Sequence, residues 1–329
     1  MKLLVTGGLG FIGSNFILNI LTKHPEFEIT NIDAELSGSN HKNLNSIQKN
    51  PNYKFVKGNI TNKIIMEKLI QNSDIVLNFA AESFVDRSIL DANPFLISNI
   101  RGTYTILDII KNQNKKLIHI STDEVFGSIK NENADENSKF NPSNPYAATK
   151  ASAELIINSY NITYDTDCII TRCTNNYGPM QFPEKLIPKT ILLASQGKKI
   201  PVYGNGKNIR DWIFVKDHCD AILRILQDGK SQQSYNISAN NSISNIDIVE
   251  KILSKMNLSY DLIDFVDDRP GHDLRYSLNS SKIRNELNWS ESTTFENGLQ
   301  ETIDWYLNNH DWSSEISSEI LTSSTPWRN

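Results

Sequence analysis

The sequence predicts an α/β fold, a doubly wound parallel sheet of the Rossmann type followed by a smaller C-terminal portion. Three features of the chain support this prediction. An apolar strand at 2–6 runs through a glycine-rich turn into a helical apolar pattern at 11–23. Strand and helix patterns then alternate as far as residue 172, which requires crossover connections and a parallel sheet. Beyond that the alternation loosens, so we expect one domain at 1–178 and a second at 179–329, with the chain returning to the first around 210–240.

The composition argues against several functional classes. The 329 residues are 39% hydrophobic and 22% charged, and the formal net charge is −5. A negative chain disfavours a nucleic acid or an anionic membrane as a partner. The three cysteines, Cys168, Cys173 and Cys219, match no metal-ligand spacing, so we expect buried thiols and no metal. No signal peptide or long apolar run is visible, which favours a soluble, cytoplasmic protein.

The glycine-rich turn has the spacing of a dinucleotide-binding site. Its glycines lie between a strand and a helix, where the backbone can approach a pyrophosphate that sits on the free N–H groups of the helix. Asp33 follows the second predicted strand, 27–32, and a carboxylate there would accept hydrogen bonds from a ribose diol and repel a 2′-phosphate. The sequence therefore predicts NAD rather than NADP, held by residues that include Gly7, Gly10, Phe11, Ile12, Gly13 and Asp33.

The remaining units of the predicted sheet follow in order. Strands are expected at 53–56, 74–79, 117–120 and 168–172, and helices at 62–71, from Pro94 to Asn112 and from Tyr146 to about Tyr160. Residues after the strand at 74–79 are small, so a flat cofactor can lie against the backbone there. This places Phe79, Ala80, Ala81 and Ser83 among the predicted cofactor contacts.

The stretch from Ser121 to Lys150 carries the chemistry. Thr122, Asp123 and Glu124 come directly after a buried strand, so a hydroxyl and two carboxylates lie at its mouth. Tyr146 and Lys150 are four residues apart and share one face of a helix. We expect the ammonium of Lys150 to lower the pKa of Tyr146, which is near 10 in an ordinary tyrosine. Such a group can move protons on and off a sugar-like alcohol.

The second half of the chain offers contacts for an anion and a flat ring. Lys185, Arg210 and the polar loop 269–276 supply positive charge, and Tyr203 supplies an aromatic face. Arginine presents a planar fork to phosphate oxygens, so these residues suit a nucleotide diphosphate. The stretch 294–320 has the apolar pattern of an amphipathic helix, which we assign to packing.

The motifs together resemble one family. The chain carries TGGLGFIGS, AAESFVDRS, STDEVFG, YAATK, RCTNNYGP, FPEKLIP, RDW and RPGHDLRY. In this combination it resembles the dTDP-glucose 4,6-dehydratases, which are extended short-chain dehydrogenase/reductases, from residue 3 to about residue 290. The glycine turn and the Tyr–Lys pair would indicate only the superfamily, whereas Thr122-Asp123-Glu124 with FPEKLIP is far more specific.

The resemblance implies a reaction sequence. Tyr146, aided by Lys150 and Thr122, would take the proton from the sugar C4 hydroxyl while a hydride passes to NAD. Glu124 would then remove the C5 proton, and Asp123 would protonate the departing C6 hydroxyl. Hydride would return to C6, which gives dTDP-4-keto-6-deoxyglucose from dTDP-glucose. The resemblance thus implies a hydro-lyase of deoxysugar biosynthesis, such as that of dTDP-rhamnose.

The resemblance also assigns further ligand contacts. Those to NAD are Asn59, Ile60 and Asn176, with Tyr146 and Lys150. Those to the substrate are Ser83, Ser98, Thr122, Asn175, Lys185, Leu186, Pro201, Tyr203, Arg210, Asn245, Arg269, His272 and Tyr276. The chain departs from the family where Phe84 replaces the usual His, Phe126 the usual Tyr and Asn59 the usual Asp, and where the segment 33–37 lacks the common Leu-Thr-Tyr.

Two alternatives differ in what they require. A 4-epimerase or another dehydratase, acting on a UDP, CDP or GDP sugar, would use the same superfamily fold. An epimerase needs only Tyr146, Lys150 and Thr122 and has no use for the acidic pair. A non-catalytic NAD-binding scaffold would be expected to lack the Tyr or the Lys.

A homodimer is expected through a four-helix bundle. The predicted helix after Pro94 carries apolar residues over a wider arc than one core-facing stripe requires. They are Phe95, Leu96, Ile97, Ile100, Tyr104, Ile106, Leu107, Ile109 and Ile110. The helix after Tyr146 would contribute Ala147, Ala148, Ala151, Leu155 and Ile156, most of them small enough for close approach.

Overall fold

The structure is a computed structural model that describes residues 1–130, 132–313, 320–321, 323 and 325–328. The predicted helix at 294–320 is present as two helices up to residue 313, and its stretch 314–319 lies outside the described residues. Within the described part of the chain, no helix combines the length and the apolar character needed to cross a membrane.

In chain order the strands are β1 Lys2–Thr6, β2 Glu28–Asp33, β3 Tyr53–Lys57, β4 Ile75–Asn78, β5 Lys116–Thr122, β6 Asp167–Cys173, β7 Asn175–Tyr177, β8 Ile200–Tyr203, β9 Ile209–Phe214, β10 Ser234–Ile237, β11 Ser242–Ser244 and β12 Ile263–Val266. The strands predicted up to residue 172 occur close to their expected positions, as β1 to β6, whereas β7 to β12 were not predicted.

Helices alternate with the strands in the first half and cluster around them in the second. They are α1 Phe11–Lys23, α2 Lys63–Gln71, α3 Val85–Leu90, α4 Asn93–Phe95, α5 Gly102–Ile110, α6 Pro145–Tyr164, α7 Leu186–Ser195, α8 Val215–Asp228, α9 Asn245–Lys255, α10 Ser281–Leu287, α11 Phe295–Asn308 and α12 His310–Ser313. A π-helical segment, Leu96–Arg101, joins α4 to α5, and 3₁₀ turns occur at His41–Ile47, Asp123–Phe126 and Tyr260–Leu262.

A seven-stranded parallel sheet forms the centre of the molecule, in the order β10-β6-β5-β4-β1-β2-β3. The order reverses between β1 and β4, because the chain first adds β2 and β3 on one side and then β4, β5 and β6 on the other. In open α/β sheets, ligands bind at the carboxyl ends of the strands beside such a switch point. The predicted fold class is confirmed.

Both faces of the sheet are covered, because successive side chains of a strand point to opposite sides. Leu3 and Val5 of β1 belong to the core that α1 and α8 cover, whereas Leu4 belongs to the core under α2, α5 and α6. Cys168 and Cys219 are part of these two cores and Cys173 also lies in one of them, so the expected burial of the thiols is confirmed.

The second half of the chain builds its own core beside this sheet. β9 pairs with β7 and β11, and β8 pairs with β12. Tyr177, Trp212 and Phe214 of these strands pack in one core with side chains of α7, α9 and α11, which include Ile248 and Leu299. β10 lies in the seven-stranded sheet beside β6, so the chain does cross back after residue 178. The division into domains at 178 stays a prediction.

A buried ion pair joins α6 to the sheet. The Arg172 guanidinium of β6 donates from Nε and Nη2 to the Glu154 carboxylate of α6 over 2.7–3.2 Å, and both side chains are almost closed to solvent. Neither charge could be left alone at this depth without a large desolvation cost.

Glu154→Ala is therefore expected to lower the free energy of unfolding by about 3–5 kcal/mol, since it leaves the Arg172 charge buried and unpaired. Denaturant unfolding followed by circular dichroism measures the change. The matched control is Glu301→Ala, which breaks an exposed pair with Lys216 and should cost no more than about 1 kcal/mol. Equal losses in the two variants would contradict the assignment.

Candidate active site

The glycine turn brings the backbone of β1 against that of the chain after β4. Gly7 has φ 70°, and a Cβ there would lie 2.6 Å from the backbone nitrogen of Ala80. A Cβ on Gly13 would lie 2.6 Å from the Gly7 carbonyl oxygen, so α1 can approach the turn only because this residue has no side chain. The result is an open cradle at the N-terminus of α1, whose free N–H groups suit a pyrophosphate.

Hydrogen bonds within the chain hold the carboxylate of Asp33 at the end of β2. One carboxylate oxygen accepts from the backbone N–H of Leu9 at 3.0 Å. The other accepts from the N–H of Glu35 and the hydroxyl of Ser39, both at 2.8 Å. A carboxylate has about four acceptor positions, so it can still accept from a ribose diol.

The residues predicted to contact NAD line a single cleft. It contains Gly7, Gly10, Phe11, Ile12, Gly13, Asp33, Asn59, Ile60, Phe79, Ala80, Ala81, Ser83, Tyr146, Lys150 and Asn176. Four further predicted substrate residues lie in it as well, namely Ser98, Thr122, Asn175 and Lys185. Other residues that were not among the predicted contacts also line it; they include Ala34, Leu36, Ser37, Gly38, Ser39, Phe84, Gln181 and Phe182. Their roles, like those of the predicted residues, stay predictions.

The catalytic candidates come from two adjoining elements. β5 ends at Thr122, and Asp123 and Glu124 open the 3₁₀ turn that follows, where the Thr122 hydroxyl accepts from the backbone N–H of Glu124 at 3.3 Å. Tyr146 and Lys150 lie in the first turns of α6. The Lys150 ammonium donates to the Ile120 carbonyl of β5 at 2.6 Å, so it ties the helix to that strand.

Burial disfavours the negative charge of Asp123, the first member of the acidic pair. Asp123 is buried, and burial, followed by the neighbouring Glu124, raises its pKa well above the ordinary value. Its Oδ2 has no hydrogen-bond partner among the described residues. Burial therefore favours the protonated form of Asp123, which is the form that a general acid needs.

Tyr146 departs from the expectation that Lys150 lowers its pKa. Burial is the largest effect, and together with the charge of Glu124 it raises the pKa of the phenol well above 10. Burial also lowers the pKa of Lys150 to about 8, so its ammonium charge is itself disfavoured. The expected lowering of the Tyr146 pKa is therefore wrong. Helical periodicity predicts that Tyr146 and Lys150 share one face of the helix, but it does not predict how deeply they are buried.

Glu124 is held by two polar side chains. Its Oε2 accepts from the amide nitrogen of Asn144 at 3.2 Å and lies 3.3 Å from the hydroxyl of Tyr276. The Tyr276 hydroxyl also donates to Asp273 at 2.6 Å. Neither Asn144 nor Asp273 was singled out from the sequence; only Asn144 has a local signal, as the residue before the proline that opens α6.

A second cleft adjoins the first and collects the other predicted substrate residues. It is lined by Lys185, Leu186, Pro201, Tyr203, Arg210, Asn245, Arg269, His272 and Tyr276, and it shares Glu124, Asn175 and Lys185 with the first. Arg210 lies 4.2 Å from the Tyr276 ring centre. Burial and the nearby Arg269 and Arg210 lower the pKa of His272 to about 4, so His272 is neutral at physiological pH.

Asp86 organises this second cleft and was missed. Its carboxylate accepts from the Tyr203 hydroxyl at 3.1 Å and from Arg269 at 3.0 Å. The next residue, Arg87, pairs with Glu184 and contacts the hydroxyl of Ser37 in the loop beside the first cleft. Both belong to the AAESFVDRS motif, but nothing local in that motif indicates which distant residues they meet.

Comparisons with known proteins agree with this geometry. A family model described as GDP-mannose 4,6 dehydratase matches residues 4–302. The low-salt glycan biosynthesis protein Agl12 of Haloferax volcanii is 44% identical over 308 residues, 93% of this chain and 99% of that protein.

Two solved structures are also similar over nearly the whole chain. The dTDP-glucose 4,6-dehydratase of Bacillus anthracis in complex with NAD is 44% identical, with a TM-score of 0.90 over 95% of this chain and 98% of that one. DesIV of Streptomyces venezuelae, a dTDP-glucose 4,6-dehydratase with NAD and TYD bound, is 39% identical, with a TM-score of 0.93 over the same shares.

The parallel sheet, the glycine cradle and the Tyr–Lys pair define an enzyme of the extended short-chain dehydrogenase/reductase class. Asp123 and Glu124, together with the similar proteins, restrict the assignment to the dehydratases of this class. The resemblance predicted from the sequence is confirmed. The chain belongs to the family of nucleotide-sugar 4,6-dehydratases that contains the dTDP-glucose 4,6-dehydratases.

The lowered pKa of Lys150 predicts a pH-dependent stability difference. The unfolded chain keeps the lysine proton up to about pH 10.4, whereas the folded chain releases it near pH 8. Between these values the unfolded state binds more protons, so the stability that Lys150 contributes rises with pH. The free energy of unfolding of the parent, relative to Lys150→Met, should therefore rise across this window.

Denaturant titrations at a series of pH values measure this difference. Lys54→Met is the control: Lys54 is exposed on a strand, so this variant measures how the same substitution changes the free energy of unfolding where the lysine is not buried. A difference between parent and Lys150→Met that stays flat or falls across the window would contradict the assigned direction.

Proposed function

We propose that this protein dehydrates dTDP-glucose to dTDP-4-keto-6-deoxyglucose with NAD as its cofactor. One observation carries the proposal: Asp123, whose pKa burial raises well above its ordinary value, and Glu124 line the same cleft as Tyr146 and Lys150. A 4-epimerase has no step that uses such an acidic pair. The similar solved dehydratases, described with NAD bound, support the same conclusion.

The first cleft fits NAD. The cradle at Gly7 and Gly13 leaves room for a pyrophosphate only because neither residue has a Cβ, and Asp33 suits a ribose diol. When bound, NAD supplies the acceptor and later the donor of a hydride, and it brings a positive charge that favours the phenolate of Tyr146. Because the hydride goes out and returns within one turnover, the cofactor is not consumed.

Residues of α6 and of the end of β5 carry out the first proton transfer. Tyr146 takes the proton of the C4 hydroxyl, with Thr122 and Lys150 as its neighbours. Lys150 donates to the Ile120 carbonyl, which holds its side chain in the cleft that Tyr146 also lines. Oxidation at C4 leaves a ketone, which makes the C5 proton acidic.

The elimination belongs to the acidic pair. Glu124 removes the C5 proton, the C5–H electrons form a double bond to C6, and the C6–O bond breaks. Asp123 gives its proton to the departing hydroxyl, which leaves as water. Hydride then returns to C6 and a proton to C5. Two adjacent carboxyls can divide these tasks only if one begins ionised and the other protonated, and the raised pKa of Asp123 provides that difference.

The second cleft is proposed to bind the nucleotide part of the substrate. Arg210, Arg269 and Lys185 provide positive charge for a diphosphate, and Tyr203 provides a ring beside them. The buried Nε of Arg269 has no partner among the described residues, so it is ready to donate to a ligand. The product would feed deoxysugar biosynthesis, with dTDP-rhamnose as one possible end product, and a cytoplasmic location stays a prediction from the sequence.

A homodimer through the helices around residues 96–110 and α6 is part of the proposal. Leu96, Ile97 and Tyr104 are 39–48% exposed, and Leu155 is 59% exposed, so an apolar surface is available on both. The expected contribution of Ala147 and Ala151 is wrong, because both are buried within the subunit. Tyr146 and Lys150 must face the site, which turns the neighbouring alanines inward and leaves Ala148 and Leu155 nearer the outer face.

Replacing both acids, Asp123→Asn with Glu124→Gln, should separate oxidation from elimination. Thr122, Tyr146 and Lys150 remain, so C4 oxidation should continue while product formation falls at least about 10²–10⁴-fold. Single-turnover absorbance should show reduced nicotinamide that appears and persists. Tyr146→Phe, by contrast, should give almost none. Product release by the double variant at the parent rate would return the 4-epimerase to consideration.

Leu155→Glu is expected to turn a dimer into monomers, because it places a charge on the proposed apolar interface. Light scattering at micromolar concentration measures the mass of parent and variant. Ile64→Glu is the matched control, since Ile64 is also apolar and even more exposed but lies on α2. A parent that is already monomeric would remove the dimer from the proposal.

A further inference from the structure

Asn144 occupies the position that begins α6. It precedes Pro145 in extended backbone, and its Oδ1 accepts from the N–H of Ala147 at 2.9 Å. This is the hydrogen bond of a helix N-cap, and it satisfies one of the donors that the first turn leaves unpaired. The turn so fixed contains Tyr146 and is followed by Lys150. The side chain is 7% exposed, so it meets protein rather than solvent.

The cap determines how the amide of Asn144 is oriented. Only the oxygen of the amide can accept from the Ala147 N–H, so the nitrogen must point the other way. There Nδ2 lies 3.2 Å from Oε2 of Glu124, to which it donates. One planar group therefore joins the start of the helix that bears Tyr146 to the carboxylate of the acidic pair.

The other neighbour of Glu124 cannot replace this donor. Tyr276 approaches the same Oε2 at 3.3 Å, but its hydroxyl lies 2.6 Å from Asp273, which is the shorter contact. A phenol has one proton, and a proton donated to Asp273 is not available to Glu124. Asn144 is thus the donor on which the placement of the Glu124 carboxylate depends.

We propose that Asn144 is a positioning residue for the elimination step, in which it holds Glu124 in place relative to the helix that carries Tyr146. This inference rests on the proposed dehydration. Asn144 itself touches no reacting atom; it acts through Glu124, whose side chain has three rotatable bonds and needs a partner to stay aimed at C5. Misplacement of a catalytic group by about 1 Å can cost 10²-fold in rate.

Asn144→Ser is the informative variant, because serine is as good an N-cap as asparagine but is too short to carry the second contact. C4 oxidation should proceed at close to the parent rate. Elimination should slow by about 10- to 100-fold, so that reduced nicotinamide accumulates in a single turnover and decays slowly. The KM for dTDP-glucose should change far less than kcat.

Two other variants sharpen the comparison. Asn62→Ser makes the same exchange at the N-cap of α2, outside both clefts, and should leave both steps unchanged. Asn144→Asp keeps the cap and the side-chain size but turns a carboxylate oxygen towards Glu124. It should slow elimination more than serine does, because two like charges would then face each other.

A double-variant cycle tests whether the effect passes through Glu124. In a Glu124→Gln background, Asn144→Ser should have little further effect on elimination, since the group it positions is already disabled. An equal loss with and without Glu124, or equal slowing of oxidation and elimination, would reduce Asn144 to a helix cap and overturn the proposal. Failure of the parent to form a 4-keto product would instead contradict the proposed function.

Discussion

The ion pair between Glu154 and Arg172 is the interaction on which the site geometry depends. It joins α6 to β6, and the hydroxyl of Ser121 donates to the same carboxylate at 2.5 Å, so the end of β5 is held against both. The catalytic side chains extend from these fixed segments. The depth that makes the pair costly to break also withdraws water from Asp123 and Lys150, raising the pKa of one and lowering that of the other. Burial therefore determines both how much the ion pair matters for folding and how the pKa values of the site residues are shifted.

The sequence predicted those features of the site that depend on residues close to one another in the chain. The glycine cradle, Asp33 and the Tyr–Lys pair each lie within one turn or one strand–helix unit, so spacing alone indicated their geometry. Properties that depend on how deeply a residue is buried in the tertiary structure were either not predicted or predicted wrongly. The pKa of Tyr146 follows from burial, and the inward side of α6 was misassigned because apolar spacing does not say which core a small residue meets. Asp86 finds its partners more than a hundred residues away, at Tyr203 and Arg269, where no local pattern could indicate them.

The short helix α3 connects the parts of the site that come from distant stretches of chain. Asp86 holds the arginine and tyrosine of the second cleft, and Arg87 spans from Ser37 beside the first cleft to Glu184 beside the second. Ser88 accepts from the backbone N–H of Tyr146. These three consecutive residues thus contact the surroundings of the first cleft, the second cleft and α6. The contacts fix the position of one cleft relative to the other.

The π-helical segment at Leu96–Arg101 has a consequence for how this region can vary. A wider turn lets Asn99 point inward, where its amide bonds Glu82 and Thr149, while Leu96 and Ile97 point outward. Successive residues of a regular helix are rotated by about 100° around its axis. Removing one residue here would therefore rotate the side chains before the deletion relative to those after it. A change in the length of this segment would therefore disturb both the inward contacts of Asn99 and the outward apolar surface, whereas a change of side chain on the outer face would disturb only the latter.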